Sequence, residues 1–269
     1  RLLQHVWSPF AARQMHRNLV FLGASNLSRG FPRLVSIAKS CFQEELTIFA
    51  AKGAGRSFGL ESGSFGKKFP GIFSSGLWSA LENANRAPTS ALIADIGNDL
   101  GYEVPVDQVL EWVTRCVDAL AERDADIVFS DLPVASLRAL DGRLFGLFQR
   151  LLFPRCRLDQ EEIVYRAEQL SDGVWQLAEA RHIPVFTVPN EWYGLDPIHP
   201  RLRNLDDYWI GMLGKLGGFR APSQRTRFTW PMNVYLRLLQ PASSSYFGVQ
   251  RCSAQPVGRL NDGTSIFLS

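Results

Sequence analysis

The chain has 269 residues, of which 46% are apolar and 20% are charged, and its formal net charge is +3. This composition is typical of a globular protein that buries a large core. No apolar run reaches the roughly 18 residues that a membrane-spanning helix needs, so we expect no membrane span, and no nucleic-acid partner is expected either.

Five short and almost wholly apolar segments are predicted to be β-strands, at residues 19–22, 46–51, 91–96, 126–132 and 183–188. Segments with apolar residues at helical spacing follow these strands, at residues 31–42, 73–85, 106–120, 135–153, 158–181 and 205–216. Buried strands that alternate with helices favour a parallel sheet covered on both faces. We therefore expect an α/β domain with a five-stranded parallel sheet over residues 1–218.

Residues 219–269 alternate short β-like runs with turn signals, and we predict a C-terminal β-rich extension. It could lie against the main sheet or form a small binding module. The last part of the chain is also basic, with Asp262 as its one acidic residue against Lys215, Arg220, Arg225, Arg227, Arg237, Arg251 and Arg259. This pattern favours a solvated, arginine-bearing segment over a surface for anionic partners.

Polar residues and glycines concentrate where the predicted strands end. They are Ser25 after the first strand, the glycine-rich loop 53–59 after the second, Asn98 after the third, and Asp196 and His199 after the fifth. Because the ligand crevice of a parallel sheet lies beyond the carboxyl ends of its strands, these groups should lie close together.

Such a set of residues is what acyl transfer requires. A serine becomes nucleophilic when a base takes its proton, and histidine suits that role near neutral pH. A carboxylate can orient the imidazole, while backbone N–H groups and an amide side chain can stabilise the oxyanion. His199 is the one histidine predicted near the strand ends, because His5 and His16 precede the first strand and His182 enters the fifth from its other end.

Four motifs, GASNL, GAGRS, IGND and DPIH, occur in this order between residues 23 and 199, each after a predicted strand. In this order of motifs the chain resembles the SGNH hydrolases, also called GDSL-type esterases and lipases. The resemblance implies a flavodoxin-like three-layer α/β/α sandwich and ester hydrolysis by a catalytic triad. In this comparison Ser25 matches the nucleophile, and Asp196 and His199 match the other two triad members.

The resemblance also implies an oxyanion hole made by the backbone of Ser25, by Gly55 and by the side chain of Asn98, with Gly53 as the alternative to Gly55. No cofactor and no metal ion are expected. One position departs from the family's pattern, because the residue before the serine is usually Asp and this chain has Ala24. That position carries no triad or oxyanion role.

Each motif taken alone has a simpler interpretation. Ser25 could be a helix-start serine, Asn98 a turn residue, and His199 a surface histidine. The glycines of loop 53–59 resemble a dinucleotide-binding loop, but the pattern predicts no helix that opens at these glycines. The four cysteines lie far apart without a CxxC pair, so reduced thiols are expected rather than a zinc site.

Five residues are expected to contact the substrate: Arg56, Phe58, Tyr102, Trp192 and Tyr193. Aromatic walls with a few polar groups suit a small acyl group or a sugar ring equally well. We expect a small-molecule or carbohydrate ester with a short acyl chain, because no long apolar channel is recognisable in the sequence. Carbohydrate O-acetyl groups are one candidate.

An apolar helix near residues 137–153 carries a leucine repeat and needs a cover. We expect it to pack on the core, with a lid over the site or a homodimer contact as alternatives. Two other functions use the same fold, a catalytically silent binding or scaffold protein and an acyltransferase. A cytoplasmic location is expected, and export stays open because the sequence begins at Arg1 rather than Met.

Overall fold

The structure, a computed structural model, describes residues 16–222 and 229–269. In these ranges the chain forms the strands β1 (His16–Leu22), β2 (Glu45–Ala51), β3 (Lys67–Lys68), β4 (Thr89–Ile93), β5 (Asp126–Ser130), β6 (Val185–Phe186), β7 (Ser243–Tyr246), β8 (Val249–Cys252), β9 (Gly258–Arg259) and β10 (Ser265–Leu268). Its helices are α1 (Ser25–Cys41), α2 (Leu77–Glu82), α3 (Val106–Ala121), α4 (Val134–Arg138), α5 (Gly142–Leu152), α6 (Gln160–Ala180), α7 (Leu205–Leu213) and α8 (Trp230–Leu238). Short 3₁₀ turns lie at Ile72–Ser74, Ile96–Tyr102, Asn190–Trp192 and Leu202–Asn204.

Seven strands form the central sheet, in the order β6-β5-β4-β1-β2-β10-β9. Neighbouring strands pair in parallel, except that β9 is antiparallel to β10. The last five residues of β1 and the last six of β2 are buried. Helices cover both faces of the sheet, which explains why these strands are continuously apolar. The predicted α/β fold with a mostly parallel sheet is confirmed.

The sheet has two strands more than the five that we predicted. The predicted strands correspond to β1, β2, β4, β5 and β6, and the C-terminal extension adds β9 and β10. Ile266 of β10 lies opposite Ile48 of β2, so this late segment pairs within the main sheet. A four-residue apolar run carries no local signal that separates a central strand from a strand of a small module.

The rest of the extension is a hairpin and a helix. Strands β7 and β8 form the hairpin, and β3 pairs with β7 to make a second, three-stranded sheet. The β-rich prediction for residues 219–269 was wrong at 230–238, because these residues form α8. Pro231 stands in the first turn of α8, where it fits a helix, and Leu236 buries its side chain against the main core. The domain division at residue 218 stays a prediction.

The predicted helix at 135–153 is two helices, α4 and α5. The first helix ends at Arg138, and Asp141 caps the second, because its carboxylate accepts a hydrogen bond from the backbone N–H of Arg143 (2.9 Å). None of the helices within residues 16–222 and 229–269 combines the length and the apolar character needed to cross a bilayer.

Two apolar cores lie on the two faces of the sheet. One contains residues of α1, α7 and α8, and the other contains residues of α2, α3, α5 and α6. Helix α1 approaches α7 closely at Gly30, where an added Cβ would lie 2.2 Å from Nε1 of the buried Trp209. The glycine therefore permits the packing that holds α1, and with it the end of β1, in place.

Candidate active site

Ser25 is the first residue of α1, three positions after the end of β1. The intervening Ala24 has φ −115° and ψ −110°, which is neither helical nor extended backbone. This abrupt strand-to-helix turn leaves Ser25 half-buried at the carboxyl edge of the sheet, beside the start of a helix. The turn thus presents Ser25 to a cleft.

The structure brings the three predicted triad side chains into one hydrogen-bonded chain. Nε2 of His199 lies 2.7 Å from Oγ of Ser25, and Nδ1 of His199 lies 2.6 Å from Oδ2 of Asp196. The imidazole is buried, with 8% of its side chain exposed. These distances are those of hydrogen bonds, so the imidazole stands between a hydroxyl and a carboxylate.

The Asp196 carboxylate is fixed by its own loop. Its other oxygen, Oδ1, accepts hydrogen bonds from the backbone N–H groups of Ile198 and His199, each at 3.1 Å. Burial acts to raise the pKa of Asp196, but the hydrogen bond and charge of His199 and the two backbone donors outweigh it and lower this pKa. The lowered pKa favours the ionised carboxylate, which is the form that accepts a hydrogen bond from Nδ1 of His199.

A second carboxylate, Asp95, holds the turn at Ser25, and the sequence predicted no role for it. Its Oδ2 accepts hydrogen bonds from the backbone N–H groups of Ala24 (2.7 Å), Asn26 (3.1 Å) and Leu27 (3.3 Å). Asp95 itself has a left-handed backbone, with φ +61°. It caps the start of α1 from another segment of the chain and replaces the side-chain cap that Ala24 cannot supply.

Asn26 links this turn to the histidine loop. Its side-chain amide donates hydrogen bonds to Oδ1 of Asp95 (2.7 Å) and to the backbone carbonyl of Ile198 (3.1 Å), the residue before His199. The position of Ser25 and the position of His199 are thus coupled through two polar side chains. An acidic residue inside the apolar run 91–96 was the sequence signal for this network.

Gly55 and Asn98, the two further residues predicted for the oxyanion hole, lie around the turn that follows β2. Gly55 has φ +67°, a backbone conformation that favours glycine, and its carbonyl accepts a hydrogen bond from the hydroxyl of Tyr102. The amide of Asn98 donates to the carbonyl of Arg56 at 2.8 Å and lines the same cavity as Ser25. Tyr102 therefore supports the turn, and its ring also packs edge-on against Phe153.

Asp99 anchors the loop beyond Gly55 from the interior. This fully buried carboxylate accepts hydrogen bonds from the hydroxyl of Ser57 and from the backbone N–H of Phe58 (3.0 Å). Burial raises the pKa of Asp99 to about 6, even though both hydrogen bonds act to lower it. The IGND motif thus supplies one side chain to the site and one to its support.

Two residues predicted to contact substrate lie in the interior instead. Arg56 is fully buried, and its guanidinium donates hydrogen bonds to the backbone carbonyls of Pro70 (3.1 Å) and Ser269. Phe58 is also fully buried and belongs to the core on the α3 face. The loop turns inward directly after Gly55, because carbonyl groups and apolar side chains there need these two partners.

The aromatic pair before Asp196 is divided between the site and the core. Tyr193 lines the cavity beside Ser25 and is 7% exposed. Trp192 lies outside that lining and packs against Phe186, with the ring centroids 6.3 Å apart. In the two described ranges of the chain, no cluster of three or more His, Cys, Asp or Glu side chains is arranged to hold a metal ion. His5 lies outside the described residues.

Comparisons with known proteins agree on the fold. No family model matches the chain, and no curated protein matches its sequence. The solved aryl esterase of M. smegmatis is similar, with a TM-score of 0.50 and 12% identity over 74% of this chain and 97% of that one. The predicted resemblance is confirmed at the level of the fold.

Two further solved structures are similar at lower scores. Est24, a carbohydrate acetylesterase from Sinorhizobium meliloti, has a TM-score of 0.47 and 11% identity over 74% of this chain and 96% of that one. A lipolytic protein of the G-D-S-L family from Veillonella parvula has a TM-score of 0.45 and 11% identity, over 72% of this chain and 96% of that one.

Proposed function

We propose that this chain, which has the fold of the SGNH hydrolases, is a serine esterase that uses Ser25 as its nucleophile. The observation that carries the proposal is the unbroken path from the Ser25 hydroxyl through His199 to the Asp196 carboxylate, with both steps at hydrogen-bond distance. Such a path converts a weak nucleophile into a strong one only in this order of groups.

The first half of the reaction forms an acyl-enzyme. His199 takes the proton of Ser25 at Nε2 while Oγ bonds to the ester carbonyl carbon, and the carbonyl oxygen becomes an oxyanion. When the oxyanion collapses, the bond to the leaving alcohol breaks and that alcohol takes the proton from Nε2. Asp196 holds Nδ1 and offsets the charge of the imidazolium during both steps.

The second half uses water in place of the serine. His199 takes a proton from water, whose oxygen attacks the acyl carbon, and Ser25 leaves with that proton as the acid is released. In both halves the N–H groups of Ser25 and Gly55 and the amide of Asn98 hold the oxyanion. Removal of one such donor typically costs roughly 10²–10³ in rate.

The first substrate to test is an aryl ester with a short acyl group, p-nitrophenyl acetate. Its leaving group needs little protonation, and its acyl group needs no room beyond the serine turn. The name of the similar M. smegmatis enzyme favours aryl esters as a starting class. Hydrolysis of carbohydrate O-acetyl groups stays a prediction from the sequence.

Labelling with a fluorescent fluorophosphonate tests the proposal directly. We expect the wild-type chain to be labelled at Ser25 and to hydrolyse p-nitrophenyl acetate, and we expect Ser25→Ala to do neither while it melts at the same temperature. Ser74→Ala, which changes an exposed serine, is the matched control and should label normally.

Other outcomes distinguish the alternatives. A wild-type chain that is folded but unlabelled would support a silent binding or scaffold protein and would contradict the esterase. Labelling together with turnover that requires an added acceptor alcohol would support an acyltransferase. Labelling that persists in Ser25→Ala would refute the assignment of the nucleophile.

A further inference from the structure

A cavity of about 120 Å³, partly open to solvent, extends away from Ser25. Its polar end contains Ser25 and Asn98, the nucleophile and a proposed oxyanion donor. Its far wall comes from α4, α5 and the segments next to them, and the apolar members are Leu137, Leu140, Phe145, Phe148, Leu152 and Phe153. The leucine-rich segment of the sequence thus forms one side of the space beside the nucleophile.

The floor of this cavity is closed by α6. Ile163 and Ala167 of α6 line the cavity, with exposed fractions of 9% and 1%. Ala167 leaves room where a larger residue would fill the space between the helices. Walls of this kind remove water from an apolar ligand without offering it hydrogen bonds, which is how apolar ligands are usually bound.

The charged side chains of the cavity wall are both acidic. Asp95 and Asp131 both line the cavity, and Oδ1 of Asp131 accepts a hydrogen bond from the backbone N–H of Val188 (3.0 Å). The lining that the described residues form contains no Lys, Arg or His side chain that could pair with an anion. A ligand with a carboxylate at its far end would therefore be repelled, whereas an uncharged chain would not.

We propose that this cavity binds the acyl part of the ester and that the preferred substrates carry an uncharged apolar acyl group longer than acetyl. This inference rests on the proposed function, because it assigns the acyl side of the ester to the space next to Ser25. It differs from the expectation of short-chain esters, which depended on the lack of an apolar channel visible in the sequence. The apolar wall of the cavity is built from α4, α5 and α6, whose side chains come together only in the fold.

A series of p-nitrophenyl esters tests this substrate class. We expect kcat/KM to rise from acetate through butyrate to octanoate, by at most about fourfold per added methylene, the factor that full burial of one CH₂ group allows. The p-nitrophenyl monoester of succinic acid, with a carboxylate at the end of its chain, should react more slowly than the butyrate. A flat or falling series would overturn the inference.

Two neighbouring leucines of α5 give a matched pair of variants. Leu152 lines the cavity, whereas Leu151 lies outside its lining and is 62% exposed. Leu152→Asn should lower the ratio of octanoate to acetate turnover about tenfold, and Leu151→Asn should leave this ratio unchanged. Equal effects of the two changes on the ratio would contradict the inference.

A loss of the proposed function is distinguishable from a loss of this inference. If the proposed function fails, no ester of the series is hydrolysed and Ser25 is not labelled. If only the substrate class is wrong, Ser25 is labelled and the ester series shows no preference for longer chains. Competition of the wild-type chain between a long-alkyl and a methyl fluorophosphonate gives a second measurement that needs no variant.

A separate surface lies at the tip of the three-stranded sheet. Phe65 and Phe247 stand beside each other there, because the backbone N–H of Phe247 donates to the carbonyl of Gly66 (2.8 Å). Their side chains are 80% and 74% exposed, and Val249 next to them is 64% exposed. Both phenylalanines have left-handed backbone, with φ +55° and +47°. Large apolar side chains that are exposed on strained backbone are typical of a binding surface.

Basic side chains surround these apolar tips. Lys67 and Lys68 of β3 follow Phe65, and the guanidinium carbon of Arg251 lies 5.3 Å from the ring centroid of Tyr246, next to Phe247. Glu61 faces this group at 3.7 Å from Lys68 through an exposed ion pair. We call Phe65, Phe247, Val249, Lys67, Lys68 and Arg251 the aromatic tip.

We infer, independently of the cavity, that the aromatic tip docks on an anionic lipid surface. Two protruding rings can enter the headgroup region while cations beside them contact anionic headgroups. Exposed rings with positive charge beside them fit an anionic bilayer surface. This inference gives Arg251 a role in lipid binding. For the other basic residues of the C-terminal segment, the prediction of a solvated segment is unchanged.

Vesicle sedimentation tests the docking. We expect the wild-type chain to bind vesicles of phosphatidylcholine with about 30% phosphatidylserine, and to release them in about 0.5 M NaCl. The double variant Phe65→Asn and Phe247→Asn should bind at least about tenfold more weakly, because each ring loses its apolar contact. Asparagine tolerates left-handed backbone, so this variant should melt no lower than wild type.

The control changes two apolar residues elsewhere on the surface. Leu147 and Leu151 are 59% and 62% exposed on α5, and replacing both by Ser should leave vesicle binding unchanged. Equal binding of the wild type and the double phenylalanine variant would overturn the assignment of the surface. Equal binding to vesicles of phosphatidylcholine alone would overturn the role of the lipid charge.

Discussion

Replacing His199 with glutamine is expected to lower kcat for ester hydrolysis by roughly 10⁴–10⁶-fold. Glutamine can still donate or accept a hydrogen bond, but it cannot take a proton from the Ser25 hydroxyl. The imidazole is the only basic group that contacts this hydroxyl in the described part of the chain. The measurement is kcat for p-nitrophenyl acetate, together with the rate of fluorophosphonate labelling, which should fall in parallel.

His182→Gln is the control for the loss of a histidine. His182 is exposed after the end of α6, away from the carboxyl ends of the strands, and its replacement should leave both rates within about twofold of wild type. A His199→Gln variant that keeps more than a tenth of the wild-type kcat would contradict the role of His199 as the base.

Replacing Asp95 with asparagine is expected to lower kcat by about 10²-fold and to raise KM much less. Both carboxylate oxygens accept hydrogen bonds, Oδ2 from three backbone N–H groups and Oδ1 from the Asn26 amide. An amide in either orientation therefore points a donor at a donor, which costs about 1–3 kcal/mol. The displaced backbone N–H groups flank Ser25. The substitution should therefore mainly misplace the Ser25 hydroxyl, which lowers kcat.

Asp126→Asn separates this positioning effect from a general loss of stability. The Asp126 carboxylate also accepts a backbone hydrogen bond, from Gly217 at 2.5 Å, but it lies at the start of β5, at the opposite end of the sheet. Asp126→Asn should lower the melting temperature without a comparable change in kcat. If the two variants lose kcat equally, Asp95 has no special role at the nucleophile turn.

The proximity of Ser25, Asp196 and His199 could be predicted from the sequence because these residues follow strands whose order and direction are readable. Ser25, Asp196 and His199 each stand at a fixed position after a strand, and a parallel sheet brings such positions to one edge. Asp95 was missed for a physical reason. Its partners lie about 70 positions earlier in the chain, and nothing near Asp95 shows that a turn elsewhere lacks a cap.

The path of the glycine-rich loop could not be predicted in the same way. Sequence proximity placed Arg56 and Phe58 at the site, but the side chains that follow a glycine turn can point to either side of it. Here Arg56 points inward, because its guanidinium donates hydrogen bonds to carbonyl groups that would otherwise be buried without donors. The hydrogen bond from Tyr102 to the Gly55 carbonyl was not predicted from the sequence, and a substrate contact of Tyr102 stays a prediction.

The leucine-rich helix shows where an apolar pattern is ambiguous. The sequence predicted core packing for residues 137–153, with a lid or a dimer contact as alternatives. In the structure Leu137 and Leu140 line the cavity, whereas Leu147 and Leu151 are exposed on the outer side. One pattern thus serves two surfaces, and the homodimer through this helix stays a prediction.

The position of β10 has a consequence for how the protein is made. Residue 265 pairs with residue 47, so about ten to forty seconds of translation separate the two strands at about 5–20 residues per second. Until then the open side of β2 offers unpaired backbone groups and apolar side chains to any neighbouring nascent chain, a known route to aggregation.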